Sequence, residues 1–444
     1  VNVTQQNAPW LTELAKRDEL AGQRDSARRL AEQILEVAPT YAEALNLAGV
    51  IALREQRHDE AVRYFTRAVA VNPSGAMYHR NLCEIYRIEG MIDRAIAHGE
   101  RARELAPNDA EAHYLVSVAH YFGLDMARSM TCARQALALD PQHCLAHFQL
   151  ATALLVTGEF GSGFAEYEWR WKHPGAPVMV AHATTPRWDG KPTDETLLLL
   201  CDQGYGDVIQ FARYVPMLLE RCPNVVVSGP EGMVKLLDLF PELKSRFVPL
   251  EAIPDHALHC AVSSLPHAFG TTLDTVPAQV PYIELPAAPR ARKRRNARRR
   301  IGIVWAGGTS HVNDRNRSAA LADLQSLAAL DGIDWVSLQV GEAKQQAAEI
   351  DWAMETPLGD EPSFVETATV IQTLDLVIAV DTSVAHLAGA MGKPTWLLLS
   401  HSPEWRWLLD RSDSPWYPTM RLFRQKSLGD WTGLARDVRD VLSA

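Results

Sequence analysis

Four prolines stand 34 residues apart, at Pro39, Pro73, Pro107 and Pro141. Proline lacks a backbone donor and clashes with the preceding turn, so it stops a helix. A stop repeated at one interval demands one structural unit repeated along the chain. Other positions keep the same phase. Twelve residues before each proline stand Ala27, Ala61, Ala95 and Ser129, and five before stand Ile34, Ala68, Ala102 and Ala136. Eight before stand Ala31, Phe65, Gly99 and Ala133, with Phe65 the one bulky knob among small residues that let paired helices approach. Gly90 and Gly158 occupy the turn between the helices of two units. Such a unit buries its apolar face only against its neighbours. The expectation is a right-handed α-solenoid over residues 8–170, of four to five repeats. Its last repeat runs unclosed from Cys144 through Phe160 to Tyr167-Glu168-Trp169-Arg170-Trp171.

A period of 34 is the tetratricopeptide (TPR) length. Stacks of this kind expose a concave groove that commonly holds extended peptide. Docking of a protein or peptide therefore stands beside a role in dimerisation or bracing. Trp169 and Trp171 are expected to pack the last helix onto the region that follows rather than to bind sugar.

From Pro186 the pattern becomes an alternation of short apolar runs with helical windows. Strands are expected at 196–201, 225–227, 301–306, 335–338 and 374–380, with helices at 208–221, 231–240, 321–330 and from about 383. This alternation implies parallel sheets covered by helices. The fold class is thus α + α/β, a TPR α-solenoid followed by a GT-B-type pair of Rossmann-like domains. Residues 186–289 would form the first half and residues 301–444 the second. Between them, residues 290–300 (RARKRRNARRR) form a basic stretch read as a solvated linker.

Ligands of such sheets bind beyond the carboxyl ends of the strands, and three loops there carry polar residues. After strand 196–201 comes Gly204-Tyr205-Gly206-Asp207. Its glycines permit close backbone approach, and Asp207, in the first helical turn, could take a proton from an attacking hydroxyl or merely cap the helix. After strand 301–306 comes a loop from Gly307 to Ser318 in which Arg315 or Arg317 could neutralise phosphate oxygens. After strand 374–380 comes Asp381-Thr382-Ser383, followed by His386. The two hydroxyls and the positive helix end suit a diphosphate. The same dipole disfavours a proton on His386, leaving a neutral imidazole. Glu342 could bind a ribose hydroxyl.

Several classes fall away. A formal net charge of −10 disfavours nucleic acid as a partner. Six cysteines without a C-x-x-C pair suggest reduced thiols and a cytoplasmic setting. The N-terminal VNVTQQNAPW has no basic stretch followed by an apolar run, and the longest apolar runs fall far short of the ~18 residues a membrane helix needs. No integral membrane contact is expected. No metal-ligand spacing, G-K-[ST] phosphate loop or G-x-S-x-G elbow stands in the second region, so no metal and no bound cofactor are expected.

The Gly206-Asp207-Val208-Ile209 turn and the Asp381-Thr382-Ser383…His386…Ala388…Gly392…Pro394 block resemble those of the heptosyltransferase-like glycosyltransferases of family 9. The resemblance implies that Asp207 is the base, that Asp381, Thr382, Ser383 and His386 cradle a nucleotide diphosphate, and that Arg317 contacts phosphate. Ser383 departs from the glycine that usually follows Asp-Thr. The layout as a whole is similar to that of bacterial TPR-linked glycosyltransferases, including those implicated in flagellin glycosylation. Its tail from Pro403 to Phe423 also resembles that group. In layout it resembles the eukaryotic-type O-GlcNAc transferases as well.

The resemblance implies metal-independent, inverting transfer of a sugar from a nucleotide-diphosphate or nucleotide-monophosphate donor, the co-substrate. The acceptor hydroxyl would belong to a protein recruited by the TPR groove. Two alternatives remain open at this point: a non-catalytic TPR adaptor whose α/β module binds a nucleotide or sugar, and a two-domain epimerase of the same fold.

Overall fold

The computed structural model describes residues 3–173, 182–285, 298–309, 313–402 and 404–444. The chain divides into two compact units, Val1–Ala153 and Leu154–Ala444.

The first unit is a stack of helix pairs. They are α1 (Ala8–Leu20) with α2 (Arg24–Val37), α3 (Ala42–Arg54) with α4 (His58–Val71), α5 (Ala76–Ile88) with α6 (Ile92–Leu105), and α7 (Ala110–Phe122) with α8 (Met126–Leu139). Each second helix ends two residues before its phase-marking proline. The residues that carry the period are its core: Ala27, Ala61, Ala95 and Ser129 are fully buried, as are Ile34, Ala68, Ala102 and Ala136. Phe65 is accommodated because it faces Gly49, where an added Cβ would lie 2.5 Å from the ring.

The turns obey the period more strictly than the sequence suggests. Gly22, Gln56, Gly90, Leu124 and Gly158, each 34 apart, all take positive φ, between 58° and 86°. In each turn the next amide reaches back five residues, as Arg57 does to the Ala52 carbonyl (2.8 Å) and Asp125 to that of His120 (2.9 Å). This is the Schellman closure of a helix C-terminus. A third phase-locked contact joins His79, His113 and His147, whose Nε2–H groups donate to the carbonyls of Pro73, Pro107 and Pro141.

Helix α9 (Cys144–Val156) crosses from one unit to the next, and α10 (Phe160–Tyr167) belongs to the second. The division thus falls at 153/154, whereas the periodicity alone runs on to 170. The reason is the chain just beyond α10. Trp171 packs into an apolar cluster with Leu198, Leu200 and Ala261. Arg170 is buried in a polar knot, donating to Glu168 (2.7 Å), Asp202 (3.2 Å) and the hydroxyls of Ser263 and Ser264 (2.7 Å each).

The rest of the second unit is built on two parallel sheets, the Rossmann-like pair of GT-B type. Strands β1 (Leu197–Leu200), β2 (Val225–Ser228) and β3 (Leu258–Ala261) form the first in the order β2-β1-β3. Strands β4 (Arg299–Val304), β5 (Ile333–Ser337), β6 (Leu376–Val380), β7 (Thr395–Leu399) and β8 (Met420–Arg424) form the second in the order β5-β4-β6-β7-β8. Every residue of β1 and β6 is buried, as central parallel strands require.

Some expected helices are interrupted. The window 208–221 is split into Tyr205–Phe211 and Val215–Arg221 around a 3₁₀ turn, with Pro216 opening the second piece. Leu321–Leu327 is 3₁₀ rather than α, and 231–240 breaks into a 3₁₀ turn and the short helix Val234–Leu237. Of the basic stretch, 290–297 lie outside the described residues, while Arg299 and Arg300 open β4.

Candidate active site

Loops that leave the carboxyl ends of β1, β4, β5, β6 and β7 converge on one cavity of about 1290 Å³. All ten residues singled out from the sequence line it: Gly204, Gly206, Asp207, Arg315, Arg317, Glu342, Asp381, Thr382, Ser383 and His386. The sequence places them far apart. The crossing of two sheets brings them together.

On one wall, Asp207 stands in the first turn of the Tyr205–Phe211 helix. On the other, the Ser383–Ala390 helix presents its amino end. The two helix ends touch. A Cβ on Gly206 would sit 2.9 Å from His386 Cδ2 and 3.6 Å from the Ser383 Cα. Gly206 is therefore needed for close approach between the halves. Arg213 ties the same seam from below, donating to the carbonyl of Trp416 (2.5 Å) and to the Tyr282 hydroxyl (3.0 Å).

Thr382 is the N-cap of the Ser383–Ala390 helix, yet its side chain makes no capping bond, and its buried hydroxyl oxygen has no partner. A hydroxyl removed from water without a hydrogen bond is costly, and this one lines the cavity. Arg317 approaches from the β4 loop and donates to the Asp381 carbonyl (3.3 Å) and the Asp314 carboxylate (3.3 Å). Its guanidinium occupies the space that a side chain at Gly307 would fill. Glu342 opens a 3₁₀ turn after Gly341, whose φ is 72°.

His386 is placed differently from its companions. It is only 4% exposed, with Nδ1 2.9 Å from the Tyr417 hydroxyl and its ring 5.3 Å from that of Trp407. Burial, together with the nearby Arg406, Arg213 and Arg317, holds its pKa well below the usual histidine value, so the imidazole is neutral. Burial and the adjacent Glu404 push the Asp381 carboxyl up to about 6, against the pull of Arg406 and Arg317.

Sequence reasoning missed the residue that engages Asp207. Arg406, on the Trp405–Trp407 turn, donates through Nη2 to Asp207 Oδ1, through Nη1 to Glu404 (2.6 Å) and through Nε to Gln210 Oε1 (3.1 Å). A signal was present. The run Trp396–Leu399 belongs to β7, and Glu404 and Arg406, interleaved with Trp405 and Trp407, stand just beyond its carboxyl end. Also unforeseen are Tyr205 and Phe364, which meet edge to face with centroids 5.0 Å apart at the cavity wall. Among the described residues no group of three or more His, Cys, Asp or Glu could hold a metal ion, and no helix is long and apolar enough to cross a membrane.

Comparison with known proteins addresses the same surfaces. Residues 13–76 and 52–110 match the tetratricopeptide repeat, and residues 337–418 match glycosyltransferase family 9 (heptosyltransferase). The second match contains Glu342, Asp381, Thr382, Ser383 and His386, and also Glu404 and Arg406. One chain thus carries a stretch similar to tetratricopeptide repeats and a later stretch similar to family 9 glycosyltransferases. Protein FlbA of Caulobacter vibrioides is 23% identical over 428 residues, covering 87% of this chain and 70% of that protein. Hsp70-Hsp90 organizing protein 3 of Arabidopsis thaliana is 24% identical over 105 residues, 24% of this chain and 19% of that one. A solved thermophilic TPR protein of Thermus thermophilus shares 20% identity, covering 39% of this chain and 95% of that one, with a TM-score of 0.35. The FlbA match covers too much of this chain to be confined to the repeats or to the region that follows them.

Proposed function

We propose that this chain transfers a sugar from a nucleotide-activated donor to a hydroxyl group of a protein acceptor, in the cytoplasm, with inversion at the anomeric carbon. The donor's diphosphate sits at the amino end of the Ser383–Ala390 helix. There Thr382 and Ser383 supply hydroxyls, and Arg317 and Arg315 supply positive charge. These groups and the helix dipole do for the leaving phosphate what a divalent cation does in other transferases. Asp207 takes the proton of the acceptor hydroxyl as its oxygen attacks from the face opposite the departing nucleotide. Gly204 and Gly206 keep that wall free of side chains, and Glu342 accepts from a ribose hydroxyl. His386 shapes the floor as a neutral ring. The repeats recruit the acceptor and raise its local concentration.

The observation that carries this reading is the unpartnered Thr382 hydroxyl at an open helix end, lining the same cavity as Asp207. The test is turnover of nucleotide sugars by Asp207→Ala and by a chain lacking residues 1–153, with the anomeric configuration of the product read by NMR. Loss of turnover in the first and loss of protein modification in the second are expected. Undiminished turnover by Asp207→Ala would remove the base assignment, and a retained configuration would remove inversion. The Asp207–Arg406 ion pair favours a second reading, a nucleotide-binding module without catalysis, because a carboxylate held by a guanidinium is a poor base. Binding of nucleotide sugars without turnover for any acceptor would establish that reading instead.

A further inference from the structure

The ion pair that argues against catalysis also carries a way for the site to control it. Arg406 lies between the two walls of the cavity, its guanidinium 4.4 Å from the centre of the Trp405 ring. Nε, Nη1 and Nη2 are engaged by Gln210, Glu404 and Asp207. Two of those partners are carboxylates facing the cavity, and Asp381 is a third acid on the same wall as Thr382. The described basic side chains lining the cavity are Lys235, Arg315, Arg317, Arg406 and Arg424. Arg424 is turned aside, donating through Nη2 to the carbonyls of Trp407 and Leu408. Arg406 is thus the cation in contact with the candidate base and on the same element as Glu404.

A guanidinium forms paired, parallel hydrogen bonds with phosphate oxygens as readily as with a carboxylate. A diphosphate brings more negative charge than one aspartate. We propose that Arg406 is a positioning residue that changes partner: before a donor arrives it neutralises Asp207, and a donor diphosphate seated at Thr382 and Ser383 draws it away, freeing the Asp207 carboxylate for the acceptor's proton. This inference rests on the nucleotide-sugar reading above. It makes the base competent only when the donor is in place. It also makes Asp207 a competitor of the donor for one guanidinium, because any coupling between two binding events is reciprocal.

The competition can be measured without turnover. Titration calorimetry of the full chain with UDP, GDP, ADP and CDP in turn would use wild type, Asp207→Asn, Arg406→Gln and the double variant. If Arg406 is shared, Asp207→Asn releases it and tightens binding by about tenfold, whereas in the Arg406→Gln background the same change alters affinity by less than about twofold. Simple repulsion between Asp207 and the diphosphate predicts an equal tightening in both backgrounds, and that result would overturn the exchange. So would an unchanged affinity in Asp207→Asn. If Arg406→Gln fails to fold, Arg406→Lys keeps the charge that pairs with Glu404 but loses the forked geometry, and the coupling should fall in the same direction. Should wild type bind none of the four nucleotides, the donor reading fails and the exchange with it. Binding by wild type without coupling sinks the exchange alone.

Discussion

Replacing Arg170 with methionine tests the account of why the second unit begins before its first strand. The guanidinium is 7% exposed and the Asp202 side chain 1% exposed, with Glu168 at 10%. Methionine keeps much of the packing against Tyr167 and Trp171, whose ring centres lie 4.7 and 5.0 Å from the guanidinium carbon. What it removes is the charge that balances two buried carboxylates. Asp202 would keep its bonds from Ser263, and Glu168 those from Arg187 and Ser264. Breaking a buried pair in this way costs about 3–5 kcal/mol.

The pH dependence has a definite sign. Burial pushes the Glu168 carboxyl up, but Arg170, Ser264 and Arg187 outweigh it and hold it below its ordinary value. In the native chain Glu168 therefore adds stability above pH 4.5 that is lost as pH falls through the lower folded value. In Arg170→Met the same carboxyl rises above its ordinary value, so the penalty is full at about pH 7 and is relieved on acidification. Urea unfolding at about pH 7 and about pH 4.5, followed by the fluorescence of Trp171 and its neighbours, measures both effects. A variant within about 0.5 kcal/mol of wild type at neutral pH, or one whose deficit grows as pH falls, would refute the argument.

Three further outcomes follow from the same structure. Gln56→Gly and Leu124→Gly relieve side chains held at φ 58° and 61° in the repeat turns and should each stabilise the solenoid by up to about 1 kcal/mol in thermal melts, whereas the same change in a helix interior destabilises. Asp381→Asn removes a carboxyl whose folded value is raised to about 6, so it should stabilise the protein above about pH 6, by at most about 3 kcal/mol, and the gain should vanish as pH falls towards about 4. Gly206→Ala should cost about 1–3 kcal/mol by overpacking against His386 and, by parting the two helix ends, should lower nucleotide-sugar turnover while leaving the repeats folded by circular dichroism.

The legibility of this chain varies along it. In the repeats, contacts are between near neighbours in sequence, so a period in residue size translates into a period in packing, and Ala27, Ala61, Ala95 and Ser129 could be placed in the core unaided. The left-handed turns at Gln56 and Leu124 could not be read individually, because nothing in glutamine or leucine announces positive φ. The tertiary register of the repeat imposes it. In the second unit, β1 and β6 were legible as continuous apolar runs, while the 3₁₀ segment Leu321–Leu327 passed for a helix because both carry apolar residues at nearly the same spacing.

The candidate site shows the same division. Asp207, Arg317 and Thr382 could be singled out because each follows a strand, and loops at the carboxyl ends of parallel strands line the cleft of such a sheet. The residue type and the local element were enough. Arg406 was not found, since its importance lies in reaching Asp207 across 199 positions of chain, and Asp207's own surroundings were invisible until two sheets met. Sequence alone determined the repeat, the alternation and the chemistry available, because these depend on neighbours along the backbone. Which acid is paired, which hydroxyl is left without a partner and which histidine is buried against aromatic rings depended on surfaces that only folding juxtaposes.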